Sequence, residues 1–114
     1  MNNPKKYRQV AFIDQHGLCY YCDRPMWLND PEIFAAEQGT STRRTRLAQA
    51  TAEHIVARQD GGSDARGNIA AACLACNCTR HRSKRPLCVE AYKRRVRERV
   101  RRGAWFPWNG SRSL

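Results

Sequence analysis

Residues 53–77 read EHIVARQDGGSDARGNIAAACLACN, and the spacings inside this stretch decide how the chain is organised. Glu53-His54 sets a carboxylate beside an imidazole, Asn68 follows across a loop, and Asn77 comes directly after Cys73-Leu74-Ala75-Cys76. In that order the side chains offer a candidate general base in His54, a loop tether in Asn68, and a hard oxygen pair for a cation in Glu53 and Asn77. Working outward, Cys19-Tyr20-Tyr21-Cys22 supplies a second Cys-x-x-Cys pair. Cys19, Cys22, Cys73 and Cys76 can enclose a zinc ion tetrahedrally and so pin two distant segments together. Four sulfurs leave no position open for water, so that ion is expected to be structural.

A chain of 114 residues suits one domain, expected over 1–108, with 109–114 as a disordered tail. Only 9% of residues are aromatic and the mean hydropathy is -0.76, so the core should be thin and the metal should contribute folding energy outright. The 21 Lys and Arg against 10 Asp and Glu give a formal charge of +11. Such a balance calls for a polyanionic partner, bound through counterion release and weakened by salt. The six cysteines could instead form three disulfides in a secreted scaffold, for example a membrane-binding toxin. Two Cys-x-x-Cys pairs suit zinc better, and the start Met1-Asn2-Asn3-Pro4-Lys5-Lys6 lacks an apolar signal-type run. The expectation is a reducing, cytoplasmic compartment and no membrane partner.

Coarse patterning places the elements. A helix is expected over residues 5–15, with Tyr7, Val10 and Ala11 on one face and Gly17 as its stop. Asp30-Pro31-Glu32 opens a short helix over 31–38 that Gly39 ends. Residues 40–46, with three arginines, read as a mobile basic loop. A strand is expected through Glu53 to Val56, a loop over 58–67, and a return strand over 68–72, whose alanines leave helix open as an alternative. A helix over 74–83 should follow. The last helix, about 87–103, carries Val89, Tyr92, Val96 and Val100 as its apolar stripe, with Lys93, Arg94, Arg95, Arg97, Arg99, Arg101 and Arg102 around it. Those cations are expected to track a nucleic-acid backbone. Trp105, Phe106 and Trp108 read as aromatic anchors, and the surplus Cys78 and Cys88 as small buried residues.

Together these pieces resemble the HNH endonuclease family, the zinc-knuckle branch of the ββα-metal nucleases, over about residues 14–83. The resemblance implies an α+β fold: a small ββα-metal core with a four-cysteine zinc site, flanked by an N-terminal helix and a basic C-terminal helix. It implies hydrolysis of DNA phosphodiester bonds, as nicks or double-strand breaks, with 5′-phosphate and 3′-hydroxyl products. His54 would be the general base, and Asn68 would brace the loop and orient the ring through its backbone carbonyl. Glu53 and Asn77 would hold Mg²⁺ or Mn²⁺, other divalent ions being possible. At position 53 the family often has aspartate or histidine, and at 77 histidine. His81, one turn beyond Asn77, and Arg80, where the family often has lysine, would neutralise the scissile phosphate or steady the leaving group. The expected partner is double-stranded DNA, engaged by a monomer or a homodimer. The alternative is a zinc-knuckle nucleic-acid-binding module that keeps the charge and the four ligands but no longer turns over.

Overall fold

The computed structural model describes residues 3–56 and 60–106. The expectations for Arg58 and Gln59 in the loop, for Trp108 and for the tail 109–114 lie outside the described residues. Helix α1 spans Pro4–Asp14, its first turn capped by the Asn3 side chain accepting from the Lys6 N–H, with proline at the first helical position. It stops because His16 and Gly17 both take left-handed backbone, φ 56° and 74°. A Cβ on Gly17 would meet the Phe12 ring at 3.4 Å, an ordinary contact, so glycine is favoured there by its backbone conformation. Helix α2, Pro31–Gln38, is capped by Asp30 and closed by Gly39 at φ 69°.

Residues 40–46 are not a mobile loop. A 3-10 helix spans Arg43–Ala48, with Thr45 and Ala48 fully buried and the Trp27 indole donating to the Thr45 carbonyl at 2.8 Å. Phe34 of α2 and Ala48 pack together under Trp27 and Leu47 in a small second cluster. That contact is tertiary and leaves no local signature in a run of Thr, Ser and Arg.

Strands β1 (Ala50–His54) and β2 (Ile69–Cys73) form a two-stranded antiparallel ribbon in which Ala50 faces Cys73 and His54 faces Ile69. All five residues of β2 are buried, and α1 lies against both strands. The alanines that made this segment ambiguous are what let a helix approach the sheet so closely, and burial overrides their helical preference. Several outward-facing groups of the ribbon find partners. Ala50 N–H donates to the Trp27 carbonyl, Ala71 exchanges bonds with the Gln15 amide and accepts from Tyr20 N–H, and Cys73 N–H donates to the Cys19 sulfur. Short edges closed in this way present no template for another strand.

Helix α3 (Leu74–His81) begins where β2 ends, and α4 (Val89–Arg101) follows after the 82–88 connection. Val89, Tyr92 and Val96 of α4 are buried against the first knuckle, where the Tyr92 and Tyr21 rings meet edge-on at 4.8 Å. The Tyr92 hydroxyl donates to the Cys76 carbonyl at 2.7 Å, and Trp105 and Phe106 pack on the same core. Cys78 and Cys88 are both exposed, contrary to the expectation that they pack: Cys78 falls on the outer face of α3, and Cys88 is the residue that caps α4. No helix among the described residues is long and apolar enough to cross a membrane.

Candidate active site and its zinc knuckle

The two ends of the ribbon do different work. At the Ala50–Cys73 end, the sulfurs of Cys19, Cys22, Cys73 and Cys76 are buried and all lie within 4.8 Å of one another. Cys22 and Cys73 are 3.9 Å apart, close to the edge of about 3.8 Å that a tetrahedron with 2.3 Å zinc–sulfur bonds requires. The knuckle turns tightly because Asp23 adopts φ 62°, which brings Cys19 N–H to the Arg24 carbonyl and Asp23 N–H to the Cys19 carbonyl. Burial would push the Cys19 thiol up, but hydrogen bonds from Cys22, Cys73 and Cys76 outweigh it and hold it low. The N–H groups of Tyr21 and Cys73 also point at that sulfur, at 3.4 and 3.3 Å. Hydrogen bonding to Cys19 pushes Cys73 and Cys76 up in turn. Four thiolates packed this closely need a divalent cation to coexist, so the donor set fits zinc.

At the other end stands Glu53. Lengths alone bring α3 to it: eight residues of helix from Cys73 rise about 12 Å, and three residues of strand from Ala50 rise about 10 Å, so the last turn of α3 draws level with Glu53. Halfway along, the Asn77 amide nitrogen donates to Thr51 Oγ1 at 2.9 Å and to the Ala52 carbonyl at 3.2 Å. One turn later, Arg80 Nη1 donates to Glu53 Oε2 at 3.1 Å and to the His54 carbonyl at 3.3 Å. These bonds close the outer edge of β1 with side chains from the helix.

Glu53 is 1% exposed. Its Oε2 also accepts from the Tyr21 hydroxyl at 2.7 Å, and its Oε1 lies 2.8 Å from His81 Nε2. Burial, reinforced by the neighbouring Glu53 carboxylate, pushes the Tyr21 phenol far up, so it stays a donor. Arg80 is 5% exposed and its Nε is spent on the Leu87 carbonyl. Arg80, expected to neutralise the scissile phosphate or steady the leaving group, has its guanidinium against Glu53 inside the fold. His81, by contrast, is 35% exposed at its side chain and sits at the rim beside Glu53.

His54 turns to the loop. Its Nε2 lies 2.6 Å from Asp64 Oδ1. Asn68 tethers the same loop: its Oδ1 accepts from Val56 N–H at 2.8 Å, while its amide donates to the Val56 carbonyl at 3.0 Å and the Ser63 carbonyl at 2.7 Å. The Asn68 carbonyl accepts from Ile55 N–H at 2.9 Å. Asp64 and Tyr21 were missed by sequence reasoning. Asp64 sits in a stretch read only for its turn chemistry, and Tyr21 in a knuckle read only for its sulfurs, so neither carried a spacing signal toward the site.

A two-stranded ribbon feeding a helix, with four sulfurs at one end and a buried carboxylate and two histidines at the other, is an α+β arrangement of the ββα-metal class. Residues 37–83, which contain both strands, α3 and the site residues apart from Cys19, Tyr21 and Cys22, match the family described as HNH endonuclease. No curated protein and no solved structure matched the chain.

Proposed function

We propose that the chain is a divalent-metal-dependent HNH endonuclease that hydrolyses DNA phosphodiester bonds with His54 as general base. The observation that carries this reading is the division of labour around Glu53: Oε2 is committed to Tyr21 and Arg80, while Oε1 faces His81 at the solvent rim. Glu53 Oε1, His81 Nε2 and the Asn77 amide oxygen form a donor set that would hold the catalytic cation. Mg²⁺ or Mn²⁺ satisfies the oxygens, and the imidazole widens the choice toward other transition ions. When bound, such a cation supplies electrostatic stabilisation of the charge that develops on the phosphate and on the departing 3′ oxygen.

His54, whose Nε2 lies 2.6 Å from Asp64 Oδ1, would take the proton from the attacking water while Asp64 orients the ring. Asn68 keeps the 56–68 loop, and with it Asp64, in register with β1. Arg80 donates to Glu53 Oε2 from inside the fold and offsets its charge there. The formal charge of +11 supports duplex DNA as the partner through phosphate contacts.

Supercoiled plasmid incubated with zinc-loaded protein and Mg²⁺ or Mn²⁺ tests the reading. Nicked or linear product from the wild type, and a loss of about 10²- to 10⁴-fold in His54→Ala, is expected. Plasmid left intact by both proteins yet retarded on a gel would establish the non-catalytic binding module instead.

A further inference from the structure

Arg80 has a second side. Behind the guanidinium that reaches Glu53, a cleft of about 220 Å³ opens between the end of α3, the 83–87 connection and α4. Arg85, Arg95 and Arg99 line it beside the hydroxyl residues Thr79 and Ser83, and no acidic residue does. Arg95 and Arg99 are one helical turn apart and so share a face of α4. Neither is used in the fold as other cations of that helix are: Arg97 donates to the Tyr21 carbonyl at 2.9 Å, Lys93 lies over the Tyr20 ring at 4.2 Å, and Arg101 pairs with Glu98. Trp105 forms part of the wall, and its indole Nε1 is buried without a hydrogen-bond partner among the described residues. A buried donor left unmatched costs free energy, and an anion bound against this wall would change the surroundings of that indole. The volume equals about seven waters, ample room for a phosphate group with waters around it.

We infer that this cleft is a subsite for a backbone phosphate of the nucleic-acid strand, next to the phosphate held at Glu53 and His81 and separated from it by Arg80. The inference rests on the nuclease reading for the position of the strand, but the cleft can be tested without turnover. It gives Arg95 and Arg99 a role that the fold itself does not, and it sets Arg80 between Glu53 and the bound phosphate. The strand would enter along α3, with one phosphate at the rim of the catalytic site and a neighbour clasped by Arg95 and Arg99.

The test uses ¹⁵N-labelled, zinc-loaded full-length protein without any catalytic divalent ion, titrated in one arm with a short DNA duplex and in another with inorganic phosphate. The duplex is expected to shift the Trp105 indole N–H resonance saturably while that of Trp27, whose donor is already bonded to Thr45, stays put. Arg95→Gln/Arg99→Gln should keep the folded spectrum, lose the Trp105 shift, weaken duplex binding about tenfold and lower its salt slope by about 1. A duplex that binds without moving Trp105, or a double variant that responds like the wild type, overturns the subsite. A shift with inorganic phosphate but none with duplex overturns the strand as its source. Duplex that shifts Trp105 but is never cut when Mn²⁺ is added leaves the subsite standing and removes the nuclease reading.

Discussion

Glu53 is held at once by a phenol, a guanidinium and a rim imidazole, so loss of one partner strands a buried charge. Arg80→Met should therefore lower stability by about 3 kcal/mol, and Tyr21→Phe by about 1 to 2, both measured by denaturant unfolding of the zinc-loaded protein. Asp64→Asn should leave stability nearly unchanged but slow plasmid cleavage, by less than His54→Ala does, since it loosens the ring without removing it. At the first knuckle, Asp23 occupies a left-handed position that a β-branched residue resists. Asp23→Val should cost about 1 to 2 kcal/mol, and Asp23→Gly should cost nothing. Residue types were the most legible level of the sequence: the base, the tether and the four sulfurs could be named from spacing. Tyr21, Asp64 and the inward turn of Arg80 could not, because each depends on which side chain the fold brings opposite, 32, 10 and 27 residues away.

Among the elements, the helices were readable because their ends carry chemical signals: with Gly17, Asp30-Pro31 and Gly39 as markers, the expected spans 5–15 and 31–38 agree with the structure within a residue. The 3-10 helix Arg43–Ala48 was not, since Trp27 and Phe34 hold it from outside. Helix α4 divides its cations by face. Arg97 and Lys93 bind the helix to the knuckle, so only part of its charge is available to phosphates. Val96 is fully buried on the opposite stripe, and Val96→Ala should cost about 2 kcal/mol, visible as a lower denaturation midpoint with an unchanged slope.

For the molecule as a whole, the sulfur cluster joins α4, the ribbon and α3 through Tyr21, Cys73 and Tyr92, so stripping zinc should abolish the cooperative transition and the helical circular dichroism together. Alkali offers a second lever. Burial pushes the phenols of both Tyr21 and Tyr92 far above their unfolded value of about 10. A group whose folded value is raised contributes stability that is complete below the unfolded value and declines as pH climbs past it. Unfolding should thus set in above about pH 10, with part of the tyrosinate absorbance appearing only as helicity disappears.

The Gln15 side chain stands in for a third strand, its amide giving and taking one hydrogen bond each with Ala71. A ribbon only two strands wide would otherwise expose a zipper ready to recruit its twin. Gln15→Ala should unblock that seam, and light scattering that grows with dose more steeply than the wild type's would be the sign of chains adding to one another edge by edge.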